Sequence, residues 1–209
     1  MPLQNRVMPT GEIVALPGRG LLLGNRGVLH DERRRIRRQF QVKRWIACRT
    51  EFRGRRKPIM SPNTWTQLFF LDEATAYAAG HRPCAECRNA DYKRFRERWE
   101  RSFGPVRTVD DIDEVLHSQR LDGRAKRMWQ ADIATLPDGA FVLLDNVVWI
   151  VWGPELAAWT DSGYGKRKPR PERLIVDVLT PQSIVQLMRT DLRPAVHPTL
   201  EKVSSRLRS

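Results

Sequence analysis

Cys84-Ala85-Glu86-Cys87 places two thiols at CxxC spacing, and Cys48 lies upstream; these are all the cysteines in the 209-residue chain. Such a turn presents two thiolates to one tetrahedral ion, and ligands from a distant segment complete the shell. Zinc is the expected metal. Cys48 supplies the only distant thiolate, so the fourth ligand falls to His30, His81, a carboxylate or water. His81 sits three residues before Cys84, with Pro83 restricting the turn between them. His30 faces Cys48 if their segments pair as strands.

Two other uses of these thiols are less suited to the pattern. An odd cysteine count argues against a disulfide framework. A thioredoxin-type couple opens a helix directly after a buried strand, whereas here the pair follows a helical segment and a glycine. A second chemical constellation is Asp113 with His117, four apart on one helix face, where a carboxylate could orient a histidine as general base for phosphodiester hydrolysis. Such i,i+4 pairs also occur as plain surface ion pairs. His197, between Val196 and Pro198, reads as a local packing or capping residue. Trp149, Trp152, Trp159 and Tyr164 stand near a basic loop and could stack bases, although a core position suits Trp149 and Trp152 better.

The elements that must position these residues can be read from pattern and punctuation. Short strands and turns are expected over residues 12–30. Val28-Leu29-His30 would pair with Val42 to Cys48 across the arginine-rich loop 31–39, forming a basic β-ribbon. Thr66 to Phe70 reads as a strand. Asp72 caps an alanine-rich helix from about Glu73, and Gly80 stops it. A second helix is expected over 85–103 with Tyr92, Phe95, Trp99 and Phe103 on one stripe. A third runs from Thr108 to Arg120 with Ile112, Val115 and Leu116 inward. Ala140 to Leu144 and Val147 to Trp152 flank Asp145-Asn146, a β-hairpin signal. A strand over 174–179 and a helix from Pro181 to about Arg189 follow.

The fold class is therefore α+β. A basic zinc-stabilised module with a β-hairpin and helices is expected over 1–105, a helical connector over 106–136, a β-rich module over 137–200 and a tail over 201–209. The formal net charge is +13, and 41% of residues are hydrophobic, with seven tryptophans. That composition suits a packed core and a surface attractive to polyanions. Residues 31–57 carry twelve Lys/Arg against three Asp/Glu. Arg33, Arg34, Arg35, Arg37, Arg38, Arg53, Arg55 and Arg56 are the expected phosphate contacts. No apolar run reaches the roughly 20 residues of a bilayer span, and the first ten residues lack a secretory pattern. No membrane partner is expected, and the cytoplasm is the expected compartment.

Trp65-Thr-Gln-Leu-Phe-Phe-Leu-Asp-Glu-Ala-Thr-Ala-Tyr-Ala-Ala-Gly-His-Arg-Pro-Cys-Ala-Glu-Cys-Arg88 resembles the zinc-binding, methyl-accepting amino-terminal domain of the Ada DNA-repair protein. The resemblance covers about residues 44–92. It implies a zinc site closed by an upstream Cys-x-x-x-Cys pair, of which Cys48 matches the first and Phe52 replaces the second. It also implies that the first upstream cysteine accepts a methyl group from a DNA phosphotriester, a role that would fall on Cys48. Residues and resemblance together point to a zinc-dependent nucleic-acid-binding protein, with DNA favoured over RNA and a function in DNA repair or processing. The alternatives are a metal-dependent nuclease using His117 with Asp113, a methyl acceptor using Cys48, and a protein-interaction module.

Overall fold

The computed structural model describes residues 1–54 and 58–201. Its strands and helices run β1 (Arg6–Val7), β2 (Ile13–Val14), β3 (Leu22–Asn25), β4 (Ile46–Arg49), β5 (Leu68–Phe70), α1 (Glu73–Ala78), β6 (Arg82–Pro83), α2 (Asn89–Phe103) and α3 (Val109–Arg120). Then follow β7 (Leu121–Asp122), β8 (Ala125–Lys126), β9 (Trp129–Asp132), β10 (Phe141–Leu144), β11 (Val147–Trp152), β12 (Glu155–Thr160), β13 (Gly163–Pro169), β14 (Ile175–Val178) and α4 (Gln182–Arg189). The class is α+β. No described helix is long and apolar enough to cross a membrane.

The first sheet has strand order β2-β1-β5-β3-β4-β6, and the second, wholly antiparallel, has order β13-β12-β11-β10-β14-β9. The hairpin between β10 and β11 forms as the sequence predicts. Asp145 and Asn146 take φ of 54° and 58°, the left-handed pair whose twist matches that of the flanking strands. The basic ribbon forms differently. Cys48 of β4 pairs with Leu23 of β3, while His30 bridges to Ile36 within its own loop. Gly24 explains the preference: it lies opposite Ala47, and a Cβ there would sit 2.3 Å from the Phe70 ring. The segment over 22–25 can therefore lie flat against the core, and the expected pairing of 28–30 with 42–48 is replaced.

Helix α1 is the pivot of the molecule. Asp72 caps it by accepting from the Thr75 amide at 2.8 Å, and Gly80 ends it at φ +83°. Every residue of α1 is buried, because cores lie on several sides. Leu71, Ala74 and Ala78 pack with Phe141, Ile150, Ala157, Tyr164 and Leu179 of the second half. Tyr77 joins Phe95, Trp99, Ile112, Leu116, Ile184 and Leu187, and Ala76 and Ala79 face Val7, Leu29, Leu68 and Phe70. Each such large side chain contributes about 1.5–3 kcal/mol by leaving water. Segments 1–105 and 137–200 thus share buried cores through α1. Trp159 Nε1 donates to Thr75 Oγ1 at 3.2 Å, and the Tyr164 hydroxyl donates to Asp72 at 2.7 Å. These two aromatics secure α1, and they are not free to stack a base.

Two helix faces differ from the expected stripes. Phe103 is exposed at the end of α2, and Val115 is exposed on α3. On α3 the buried set is Ile112, Asp113, Leu116 and Arg120. Asp113 faces a buried arginine, which turns the inward face away from Val115. Half of the basic stretch 166–173, residues 166–169, belongs to β13, paired to β12.

Candidate metal centre

Strand pairing brings the three cysteines together. β6 runs parallel to β4 with Ile46 beside Arg82 and Ala47 beside Pro83, so Cys84 emerges next to Cys48. The Cys84 amide donates to the Ala47 carbonyl at 3.0 Å, and the Arg88 amide donates to the Cys84 carbonyl at 3.1 Å, closing the turn. The sulfurs of Cys48, Cys84 and Cys87 all lie within 4.8 Å of one another. With Zn–S bonds near 2.3 Å, tetrahedral thiolates stand roughly 3.8 Å apart. The donor set therefore fits a thiophilic ion, and this group can hold a metal.

Electrostatics explains why such a set calls for a cation. The Cys84 thiol is lowered to about 5 by the hydrogen bond from Cys48 and by the amides of Cys87 and Glu86. Cys48, the donor of that bond, is pushed far up. Burial raises Cys87, against a hydrogen bond to its sulfur from the Arg49 amide at 3.4 Å. Three sulfurs this close cannot all ionise unless positive charge neutralises them. The N-terminus of α2, directly after Cys87, supplies a fraction of that charge through its dipole. The CxxC thus stands between a short strand and a helix, and a third thiol within reach distinguishes the arrangement from a simple dithiol couple.

Neither candidate histidine reaches the cluster. His81 is wholly buried between the rings of Trp45 and Phe70, at centroid distances of 5.1 and 4.6 Å, and its Nε2 accepts from Arg26 Nε at 3.2 Å. Pro83, inside β6, directs His81 to the opposite side of the sheet from the thiols. His30 Nδ1 contacts Thr66 Oγ1 at 2.6 Å and its Nε2 meets the Ser61 carbonyl at 3.1 Å. Among the described residues the metal-ligating group is three cysteines, so the expectation of a histidine as fourth ligand is corrected.

His81 has a role of a different kind. Burial, and then the charges of Arg26 and Arg120, hold it well below its ordinary pKa, so it is neutral when folded. The unfolded chain binds a proton near pH 6.5 that the native state refuses. Stability therefore falls as pH drops below about 6.5, by up to about 1.4 kcal/mol per pH unit. Denaturant unfolding at pH 7.5 and 5.5 checks this: His81→Gln is expected to lose less stability than the parent over that interval.

The fourth side of the cluster opens into a cavity of about 760 Å³. Phe52, where the resemblance would place a fourth thiolate, lines it with Phe69, Ile59, Trp65, Gln67 and Glu86. Trp65 is 61% exposed. Together with Asn25 and Ile46 it also borders an adjoining hollow of about 400 Å³ that reaches Lys43 and Arg44. Trp65 and Gln67 were not anticipated as site residues. The available signal was a tryptophan following the polar turn Ser61-Pro62-Asn63-Thr64, a position with no helical or strand stripe to bury it.

The remaining expected site residues are placed as follows. Asp113 makes a two-pronged ion pair with Arg82 at 2.9 and 2.7 Å, both side chains almost fully buried. His117 Nδ1 meets Arg120 at 3.1 Å, and its ring lies edge-on to Phe40 at 5.1 Å. The pairing of Asp113 with His117 as a catalytic dyad is corrected: the carboxylate is committed to Arg82, which fixes β6 to α3. His197 caps locally, its Nδ1 meeting Thr199 Oγ1 at 3.0 Å. Arg33, Arg34, Arg35, Arg37, Arg38 and Arg53 are exposed, and of these Arg35 is engaged by Asp31 at 2.9 Å. Arg55, Arg56 and the tail from 202 lie outside the described residues. Comparison with protein-family models, curated proteins and solved structures returns no match, which leaves the tricysteine cluster and its cleft as the ground for a functional reading.

Proposed function

We propose that this chain is a zinc protein that binds nucleic acid, with Cys48, Cys84 and Cys87 holding the ion at the floor of an aromatic-walled cleft. The observation that carries this reading is the three-sulfur cluster open on one side to that cleft. Zinc, when bound, would neutralise the thiolates, join β4 to the CxxC turn and leave one position for a ligand from the cleft. Trp65 and Phe52 offer flat apolar faces on which an unpaired base can stack. Lys43 and Arg44 border the adjoining hollow, paired there with Glu114 and Asp110. The loop around Arg33, Arg34, Arg37 and Arg38 adds exposed positive charge suited to a phosphate backbone.

Fluorescence anisotropy with labelled single- and double-stranded DNA and RNA tests the reading. The logarithm of the binding constant is expected to fall linearly with that of salt concentration, by about 0.9 per phosphate neutralised on duplex DNA. The combined change Arg34→Ala, Arg37→Ala and Arg38→Ala should flatten that slope by about 2–3, and Trp65→Ala should weaken single strands more than duplexes. Absence of salt-sensitive binding at 50 mM salt would leave only a zinc protein with a solubilising surface.

A second reading is favoured by Cys48 being a half-buried residue on the wall of the cleft, where Cys84 and Cys87 are buried residues. Cys48 sulfur would accept a methyl group, forming S–CH3 as the O–CH3 bond of a methyl phosphotriester breaks and the phosphodiester leaves with the electron pair. Three thiolates make the sulfur less electron-rich than the four of the resembling domain. Slow single-turnover transfer is therefore expected. Peptide mass analysis after incubation with methylated DNA would show a gain of one methyl at Cys48, and its absence would remove this reading.

A further inference from the structure

Arg26, Arg120 and Lys126 meet on the far side of β4 from the thiols, brought there from three separate parts of the chain. Arg26 and Arg120 are each 1% exposed. Both guanidinium carbons lie 3.9 Å from the centroid of the Trp45 ring. Lys126, on the β7–β8 hairpin, donates to the Ala78 carbonyl at 2.5 Å. None of the three makes a salt bridge among the described residues. Their partners are uncharged carbonyls and rings: the Gly11 carbonyl at 2.9 Å and His81 for Arg26, the Gly80 and Lys43 carbonyls and His117 for Arg120. Carbonyls and ring faces satisfy single donors, but they carry no net charge to offset three cations. The carboxylate that acts on Arg120 is Asp113, and it is already bound by Arg82.

Two donors remain without a partner, Arg26 Nη2 and Arg120 Nε, both fully buried. Their side chains line a cavity of about 300 Å³ whose wall also includes Lys126, Arg124, Gln39 and Trp45, and one carboxylate, Glu12, set against four basic side chains. That volume holds roughly ten waters at about 30 Å³ each, more than a bare phosphate needs. Burial and repulsion oppose the charges: burial and then the two arginines lower Lys126 to about 7, burial and then Arg120 hold Arg26 well below its ordinary range, and burial lowers Arg120 to about 9. An anion in the cavity would offset that repulsion.

We propose that this cavity is a binding site for a phosphate-class dianion, either free or at the terminus of a phosphorylated nucleic acid. Guanidinium forks match the oxygens of a tetrahedral oxyanion, and a flexible ammonium completes the charge. The site is independent of the tricysteine centre, since the two cavities share no lining residue.

Titration calorimetry and thermal unfolding of the full-length protein with inorganic phosphate, at ionic strength held constant with potassium chloride, test the free-anion arm. The expected result is saturable binding of one phosphate per chain with a Tm rise that chloride does not reproduce. The second arm compares 5′-phosphorylated with 5′-hydroxyl oligonucleotides, a difference to which the exposed arginine loop contributes equally. Lys126→Met, at a half-buried residue, is expected to weaken phosphate or the 5′-phosphate preference at least tenfold while the protein stays folded. Arg124→Ala at the rim gives a second, milder loss. Either arm responding, with loss in Lys126→Met, supports the site. Phosphate no better than chloride together with no 5′-phosphate preference overturns it, as does an unchanged response in Lys126→Met.

Discussion

Cys84→Ser protein is expected to purify without stoichiometric zinc and to unfold at markedly lower denaturant concentration than the parent. The reason lies in how short the backbone pairing between the CxxC turn and the sheet is. β6 is two residues long, and its register depends on main-chain bonds from Arg82 and Cys84 to Trp45 and Ala47. Cys48, Cys84 and Cys87 would hold the metal, and a metal held there would tie β4 to the start of α2. If free zinc stands at about 1,000 times its dissociation constant, binding stabilises the native state by about 4 kcal/mol. Metal analysis by mass spectrometry, paired with guanidinium unfolding with and without chelator, reads both effects. Chelator should destabilise the parent by a similar amount and leave Cys84→Ser unmoved. Equal zinc content and equal stability in the two proteins would remove the metal centre. Because thiolates must be deprotonated to bind, zinc should also be lost as pH falls.

Asp113→Ala is expected to cost about 3–5 kcal/mol, the range for stranding one member of a buried ion pair. Arg82 and Asp113 are only 2% and 3% exposed at their side chains, and two hydrogen bonds join them. Burial raises the Asp113 carboxyl against the pull of Arg82, so the pair is expensive to enclose and more expensive to break. Replacing both partners, as Arg82→Met with Asp113→Leu, should recover much of the loss, since apolar side chains of similar size remove the uncompensated charge. Arg82 immediately precedes Pro83 and Cys84, so the single change should also weaken zinc binding, which a competition titration with a chromogenic chelator would show. A loss of under 1 kcal/mol in Asp113→Ala would mean that the pair is screened by water and does not anchor the turn.

Elements whose signals are local were legible before any fold was known. The Asp72 cap, the Gly80 stop, the Asp145-Asn146 hairpin and the CxxC turn each depend on neighbours within a few residues. Stripe assignments failed where the neighbour was polar. Val115 was expected inward by periodicity alone, but α3 turns its buried face toward Arg82, a partner 31 residues away from Asp113. The basic ribbon failed in the same way. Which segment pairs with Val42 to Cys48 was decided by the fit of Gly24 against Phe70, which no local pattern encodes.

The candidate site divides along the same line. By itself the sequence determined that Cys84 and Cys87 share a turn, that Cys48 is the sole distant thiol and that the chain is strongly basic. Only the tertiary structure decided the rest. It set Cys48 beside the turn through parallel pairing of β4 and β6, and it buried His81 behind the sheet and tied His30 to Thr66, so that the fourth side of the cluster faces a cleft. It also gathered Arg26, Arg120 and Lys126 around Trp45. Ligation and charge clustering depend on distances of a few ångströms between side chains, and those distances follow from strand register and helix rotation, which are settled when the cores pack.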